Sequence, residues 1–221
     1  MKIALIGYGR MGKEVERCAL EEGHEIVARF TSESRDFSPI EKADVCIDFT
    51  VASSVLETLN SIRFFQKPVV IGTTGWDVAK IERYAEELGI LYAPNFSVGI
   101  TLFEELLKKA ATLLLPEYTV TGEETHHFEK KDAPSGTALR FAEQVKGLQF
   151  HSVRSGSHVG THKIVFDSSE DTIELTHRAR NRQSFAKGAL EAAHWLLGKV
   201  GVYTFEDYLK ERLKWKELSQ L

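Results

Sequence analysis

The chain has 221 residues, 43% of them hydrophobic and 27% charged, which suits a globular fold with one large domain or two modest ones. A formal net charge of -4 leaves no basic surplus for a nucleic-acid partner. Cys18 and Cys46 lie in apolar-patterned segments without C-x-x-C spacing, so buried, reduced thiols are expected instead of a disulfide or a metal site.

In chain order, Lys2 to Ile6 is an apolar run too short for a signal-peptide core or a membrane span, and a cytoplasmic location is expected. It ends at Gly7-Tyr8-Gly9-Arg10-Met11-Gly12, after which Met11, Val15, Cys18 and Ala19 recur at helical spacing up to a stop at Gly23-His24. A second strand, Glu25 to Phe30, completes a βαβ unit. In that context G-x-G-x-x-G reads as a dinucleotide fingerprint: Gly7 for the tight turn, Gly9 for close approach of a pyrophosphate, Gly12 for helix packing. No acid stands at the end of the second strand, where NAD selectivity would place one. Arg29, Thr31, Ser32 and Arg35 could accommodate a 2′-phosphate, which leans the reading to NADPH or to both cofactors; a solvent-facing arginine explains Arg29 or Arg35 equally well.

Val45 to Phe49 predicts a third strand, with Ser53-Ser54 as N-caps for a helix over about 55–65. Pro68 opens a fourth strand, Val69 to Ile71, which ends at Gly72-Thr73-Thr74-Gly75. The ends at Phe49-Thr50 and Gly72-Thr73-Thr74 should meet at the carboxyl edge of a parallel sheet, where open α/β sheets bind ligands. A helix over about 77–88 and a strand at Ile90 to Tyr92 complete a Rossmann-type half.

Pro94-Asn95-Phe96-Ser97 breaks the alternation before an amphipathic helix over about 98–115, the crossover into a second domain. From Tyr118 the pattern turns β-rich: a strand to Glu123, a charged stretch, a helix from Gly136 to Val145, then strands at Phe150 to Arg154, His162 to Asp167 and Thr172 to Arg178. An open, mixed or mostly antiparallel sheet with a helix on one face is expected. Helices at Phe185 to Leu197 and Phe205 to Leu213 then return to the first domain. The expected architecture is α/β: residues 1–96 and 183–221 as a Rossmann-type dinucleotide-binding domain, and residues 97–182 as an α+β domain for substrate binding and oligomerisation.

The stretch Glu124 to Thr137, E-T-H-H-F-E-K-K-D-A-P-S-G-T, is the densest in ionisable and turn-forming residues. A histidine can exchange a proton near neutral pH, a lysine offers a point charge to a carboxylate, and a helix opening near Gly136 offers N–H donors. Adjacent histidines could be a metal pair, but no third ligand stands at a familiar spacing, so no metal is assigned. His162 and His177 lie on strands, where structural histidines are common. Arg154 and Arg182 could be substrate-side cations or ion-pair partners.

Taken together, Gly7 to Gly12, Asp48-Phe49-Thr50, Gly72 to Gly75, Asn95 to Gly99, E-x-H-H-x-x-K-x-D-A-P-S-G-T and His177-Arg178-Ala179 resemble the dihydrodipicolinate reductase family over essentially the whole chain. The resemblance implies reduction of 4-hydroxy-tetrahydrodipicolinate, a cyclic dicarboxylate, by NADH or NADPH on the diaminopimelate route to lysine, in a homotetramer. By motif position it implies His126 as general acid and Lys130 as catalytic lysine. It implies His127, Lys130, Gly136 and Thr137 as the dicarboxylate set, and Gly7, Gly9, Arg10, Met11, Gly12, Phe49, Gly72, Thr73, Thr74, Pro94, Asn95 and Phe96 as cofactor contacts. Glu129 stands where some relatives carry a basic residue, and its role stays open.

Overall fold

A computed structural model describes residues 1–34 and 36–213; Arg35, one of the residues considered for a 2′-phosphate, lies outside them. The elements are β1 (Lys2–Ile6), α1 (Arg10–Glu21), β2 (Glu25–Phe30), β3 (Val45–Asp48), α2 (Val55–Ile62), β4 (Val69–Ile71), β5 (Gly89–Tyr92) and α3 (Val98–Leu114), followed by β6 (Thr119–His126), α4 (Gly136–Gln144), β7 (Phe150–Arg154), β8 (Gly160–Asp167), β9 (Thr172–Ala179), α5 (Gln183–Leu196), β10 (Gly201–Thr204) and α6 (Phe205–Arg212). Two compact units result: Met1–Phe96 with the chain from Gln183 onward, and Ser97–Arg182.

The first unit holds a parallel sheet in the order β10-β5-β4-β3-β1-β2. Every residue of β3 and β4 is buried, the signature of parallel strands covered on both faces, which is why they read as unbroken apolar runs. Both cysteines are buried and free.

In the first unit three elements differ from the sequence reading. The segment expected as a helix over 77–88 is a 3₁₀ stretch, Val78–Tyr84, because Val78, Ile81 and Tyr84 turn inward every third residue, the period of that tighter coil. The glycine-flanked connection after α5 contains β10, which pairs with β5 as an extra parallel strand; four residues between glycines and a helix carry too little pattern to announce it. Ser54 precedes α2 without a side-chain cap, and a 3₁₀ turn, Ala52–Ser54, leads in instead.

The second unit folds a sheet in the order β7-β6-β8-β9, with β6 and β7 parallel across α4 and the remaining pairs antiparallel. Ser97 caps α3 by accepting from the Ile100 N–H at 3.3 Å. Phe103 and Leu107 of α3 and Phe141 of α4 pack with Val120, Ile164 and Phe166 on one face of the sheet. β6 does not stop at Glu123 but runs to His126, placing Val120, Gly122, Glu124 and His126 on the inward face at the strand period of two. Charged residues at inward positions made this end look like loop. Their partners explain why it is strand.

Candidate active site

In the first unit the glycine loop divides its work by crowding. Gly7 adopts φ +87°, and a Cβ there would meet the Phe49 carbonyl at 2.5 Å; a Cβ on Gly12 would stand 2.3 Å from the Gly7 carbonyl oxygen. Around Gly9, by contrast, an added Cβ finds nothing within 4 Å. Gly9 is the N-cap of α1 and offers no side chain, so this helix end is open to an incoming anion.

The cavity beside it, about 550 Å³, is lined by Gly7, Gly9, Thr31, Ser32, Phe49 and Thr50 among others. A neighbouring one of about 420 Å³ adds Arg10, Met11, Gly72, Thr73 and Thr74. The strand ends meet here through Asp48. This buried carboxylate accepts from Thr50 N at 2.8 Å, Thr50 Oγ1 at 2.7 Å and Thr73 Oγ1 at 3.0 Å. Burial raises its pKa against the pull of those hydroxyl and amide donors. The Phe49 ring occupies the space a Cβ on Gly72 would need, so the glycine lets the two strand ends close up.

The remaining first-unit candidates separate. Phe96 is 2% exposed, its ring 6.1 Å from Phe49 and 5.2 Å from Phe205, so its side chain is core and only its backbone could serve a ligand. Pro94 is exposed and Asn95 half-buried. Arg29 is held by Glu16 of α1, which also accepts from the Tyr8 hydroxyl. It would have to leave that carboxylate to meet a 2′-phosphate.

The second unit gathers the charged stretch around Glu124, which is completely buried. Its Oε1 accepts from Ser135 N at 3.1 Å, Ser152 Oγ at 2.8 Å and Arg154 Nη2 at 2.9 Å, while Oε2 stands 2.8 Å from His126 Nδ1. Burial would raise the Glu124 pKa, but the donors and the nearby histidine outweigh it and hold it at about 2. His126, 7% exposed, has its pKa lowered chiefly by burial, with Glu124 opposing and Lys130 and Arg154 adding to the fall. His162 lies behind it, ring centroids 5.4 Å apart, with Nε2 3.2 Å from Ser135 Oγ; burial drives its pKa down to about 3.

Lys130 pairs with Asp132, Nζ to Oδ1 at 2.8 Å and to Oδ2 at 2.9 Å. Ser135 caps α4 by accepting from Ala138 N at 3.2 Å, which fixes Gly136 and Thr137 in the first turn, where N–H groups point outward. His127 is half-buried, its backbone N–H bound to the His158 carbonyl at 2.8 Å. Arg154 proves to be an ion-pair partner: besides Glu124 it donates to the Lys130 and Asp132 carbonyls, stapling the loop to β7.

Sequence spacing missed three participants, Glu124, His162 and Gly160. A Cβ on Gly160 would stand 2.9 Å from His126 Nε2, so glycine is what leaves room for the imidazole. Glu124, His126 and His162 also bring ligand-type atoms within 4.8 Å of one another, the third group that spacing could not supply for a metal. Yet the 2.8 Å contact between Glu124 and His126 is shorter than the roughly 3.3 Å between two ligands of one tetrahedral ion, and Arg154 already pairs with the carboxylate. The geometry fits a hydrogen-sharing pair better than a cation cage.

Two family profiles cover this chain: dihydrodipicolinate reductase, N-terminus, over residues 1–96, and dihydrodipicolinate reductase, C-terminus, over residues 99–209. The chain belongs to the dihydrodipicolinate reductase family. A 4-hydroxy-tetrahydrodipicolinate reductase of Christiangramia forsetii is 39% identical over 97% of this chain and 100% of its own length. The enzyme of the same name from Zymomonas mobilis subsp. mobilis is 35% identical over 95% and 97%. Among solved structures, the dipicolinate-bound dihydrodipicolinate reductase from Paenisporosarcina sp. TG-14 superposes with a TM-score of 0.77 at 25% identity, covering 92% of this chain and 97% of that one. The family reduces its substrate with NADH or NADPH, and the N-terminal dinucleotide-binding domain fits that use.

Proposed function

We propose that this chain reduces 4-hydroxy-tetrahydrodipicolinate to tetrahydrodipicolinate in lysine and diaminopimelate synthesis, with His126 carrying the proton and Lys130, His127, Gly136 and Thr137 holding the dicarboxylate. The reaction consumes one hydride and one proton and releases water. A nicotinamide cofactor, NADH or NADPH, supplies the hydride when bound. Gly9, Arg10 and Met11 would hold its pyrophosphate at the start of α1, and Phe49, Gly72, Thr73 and Thr74 would line the neighbouring pocket; Pro94, Asn95 and the Phe96 backbone complete the proposed set.

The observation that carries the substrate half is the placement of His126 at the end of β6, with Nδ1 on a buried carboxylate, beside a loop that ends in the capped start of α4. Lys130 supplies a positive charge for one carboxylate and the first-turn amides of α4 supply donors for it. His126 can release or take a proton without leaving its pocket. Dipicolinate, which the Paenisporosarcina enzyme binds, is a stable probe of this half. Calorimetry should show dipicolinate binding to the wild-type chain and weakening at least tenfold with Lys130→Ala; equal affinity would remove Lys130 from the dicarboxylate set.

Self-association into a homotetramer through the second unit is part of the same reading. Alternate residues of β6 and β9, including Thr121, Glu123, Glu174 and Thr176, are exposed, and β9 is an edge strand with an open hydrogen-bonding side. Light scattering tests it: a mass near that of one chain would contradict it. Among the described residues no helix is long and apolar enough to cross a membrane, and we place the enzyme in the cytoplasm with its small-molecule substrate.

A further inference from the structure

An ionised carboxylate taken wholly out of water is costly, and Glu124 meets that cost on one oxygen only. Its Oε1 receives the Ser135 amide at the start of α4 and the Ser152 hydroxyl and Arg154 guanidinium of β7. That clamp leaves Oε2 aimed at His126 Nδ1, 2.8 Å away. The contact lies off the line of an ideal hydrogen bond, so both atoms are buried without a fully formed partner. With Glu124 ionised, two orphaned atoms this close are complementary only as N–H against carboxylate.

We propose that Glu124 is the positioning residue for His126: it fixes the tautomer with the proton on Nδ1, leaves Nε2 as the proton-exchanging atom, and stabilises the imidazolium. The inference rests on the reading of His126 as the proton carrier. A carboxylate beside Nδ1 accepts and cannot donate, so the neutral ring must keep its hydrogen there and turn its lone pair to Nε2. Nε2 lies against Gly160, where the absence of a side chain keeps the nitrogen clear.

Charge works in the same direction. Facing His126 are Glu124 on its own strand, Lys130 and Asp132 on the loop, Arg154 at the end of β7 and His162 on β8. Burial, Lys130 and Arg154 all disfavour the charged ring; Glu124, with a smaller share from Asp132, opposes them. His162, neutral behind it, adds no charge of its own near neutral pH. Without Glu124 only the weaker pull of Asp132 would favour a proton on the ring. Arg154 then acts two steps removed, by holding the carboxylate that holds the histidine.

The test is a nitrogen-resolved NMR titration of the full chain labelled at histidine, with His126 assigned by the resonances lost in His126→Gln, run beside the pH dependence of kcat. In the wild type His126 should show the Nδ1–H tautomer. Glu124→Gln should lower its pKa by about one to three pH units and move the alkaline fall of kcat down by the same amount. Glu124→Asp keeps the buried charge and its pairing with Arg154 but withdraws the carboxylate by one methylene. It is the variant to use where Gln fails to fold, and it should shift the ring toward Nε2–H and lower kcat at least about tenfold with the Michaelis constant nearly unchanged. An unchanged titration and tautomer in these variants, whatever happens to kcat, would overturn the proposal. If the titration moves as stated while His126→Gln keeps full turnover, the positioning holds and the reading of His126 as proton carrier fails.

Discussion

Lys130 Nζ sits between the two oxygens of Asp132, 2.8 and 2.9 Å away, so the charge assigned to the substrate is already shared with an acid of the same loop. A carboxylate arriving at Lys130 must compete with Asp132, which is exposed enough to swing into solvent. Asp132→Asn should therefore tighten dipicolinate binding several-fold while Lys130→Ala weakens it. Both are read by calorimetry, and a weakening in both would mean that Asp132 orients the lysine instead of screening it. The pair is partly solvent-facing, so its contribution to stability should be small, under about 1 kcal/mol.

Replacing His126 with Gln preserves size and hydrogen bonding but not proton exchange. The expected loss in kcat is about 10²- to 10⁴-fold, with cofactor affinity by fluorescence titration unchanged, because the substitution is confined to the second unit. A matched loss of cofactor binding would point to misfolding of the chain.

The glycine loop offers a contrast within one turn. Gly9→Ala has open space for the methyl and should leave the melting temperature unchanged, yet weaken NADH or NADPH binding at least about tenfold where a pyrophosphate needs that space. Gly12→Ala drives a methyl onto the Gly7 carbonyl at 2.3 Å and should cost about 1–3 kcal/mol of stability. Equal effects of the two on stability would remove the distinction.

His162 links the site to pH. Its folded pKa, about 3, lies below its ordinary value, so the unfolded chain binds the proton more readily. The neutral, buried ring therefore favours the fold above about pH 6.5, and that advantage is lost as pH falls toward the folded pKa, up to about 3 kcal/mol by about pH 4. His162→Gln should flatten the decline of the melting temperature over that interval. A curve parallel to the wild type would mean that His162 is hydrated in the folded chain. Glu124 behaves differently: its depressed pKa keeps its stabilisation until the pH drops below the usual carboxylate range, so the two groups separate along the titration.

The long periodic segments, α1, α3 and α5, and the buried parallel strands could be read from sequence because their apolar spacing is unmistakable. The 3₁₀ stretch at Val78–Tyr84 was not, since a period of three shares its first inward pair, i and i+3, with an α-helix. β10 was too short to carry a pattern. At the site, His126, Lys130 and the capped turn at Ser135 were legible as residue types in a motif. Glu124 and His162 were not, because a buried acid and a buried histidine are explained only by partners on other strands, and Ser152, Arg154 and Ser135 lie 11 to 30 residues away in sequence. Arg154 could have been cation or staple until its bonds to Glu124 and to the Lys130 and Asp132 carbonyls were seen.

The most direct test of the central claim is oxidation of NADPH and of NADH by the purified chain on freshly generated 4-hydroxy-tetrahydrodipicolinate, followed by absorbance beside His126→Gln and Lys130→Ala. The account predicts substrate-dependent oxidation of at least one cofactor by the wild type, with turnover reduced at least about a hundredfold in His126→Gln and clearly reduced in Lys130→Ala. No oxidation of either cofactor by the folded wild-type chain, or wild-type turnover in both variants, would contradict it.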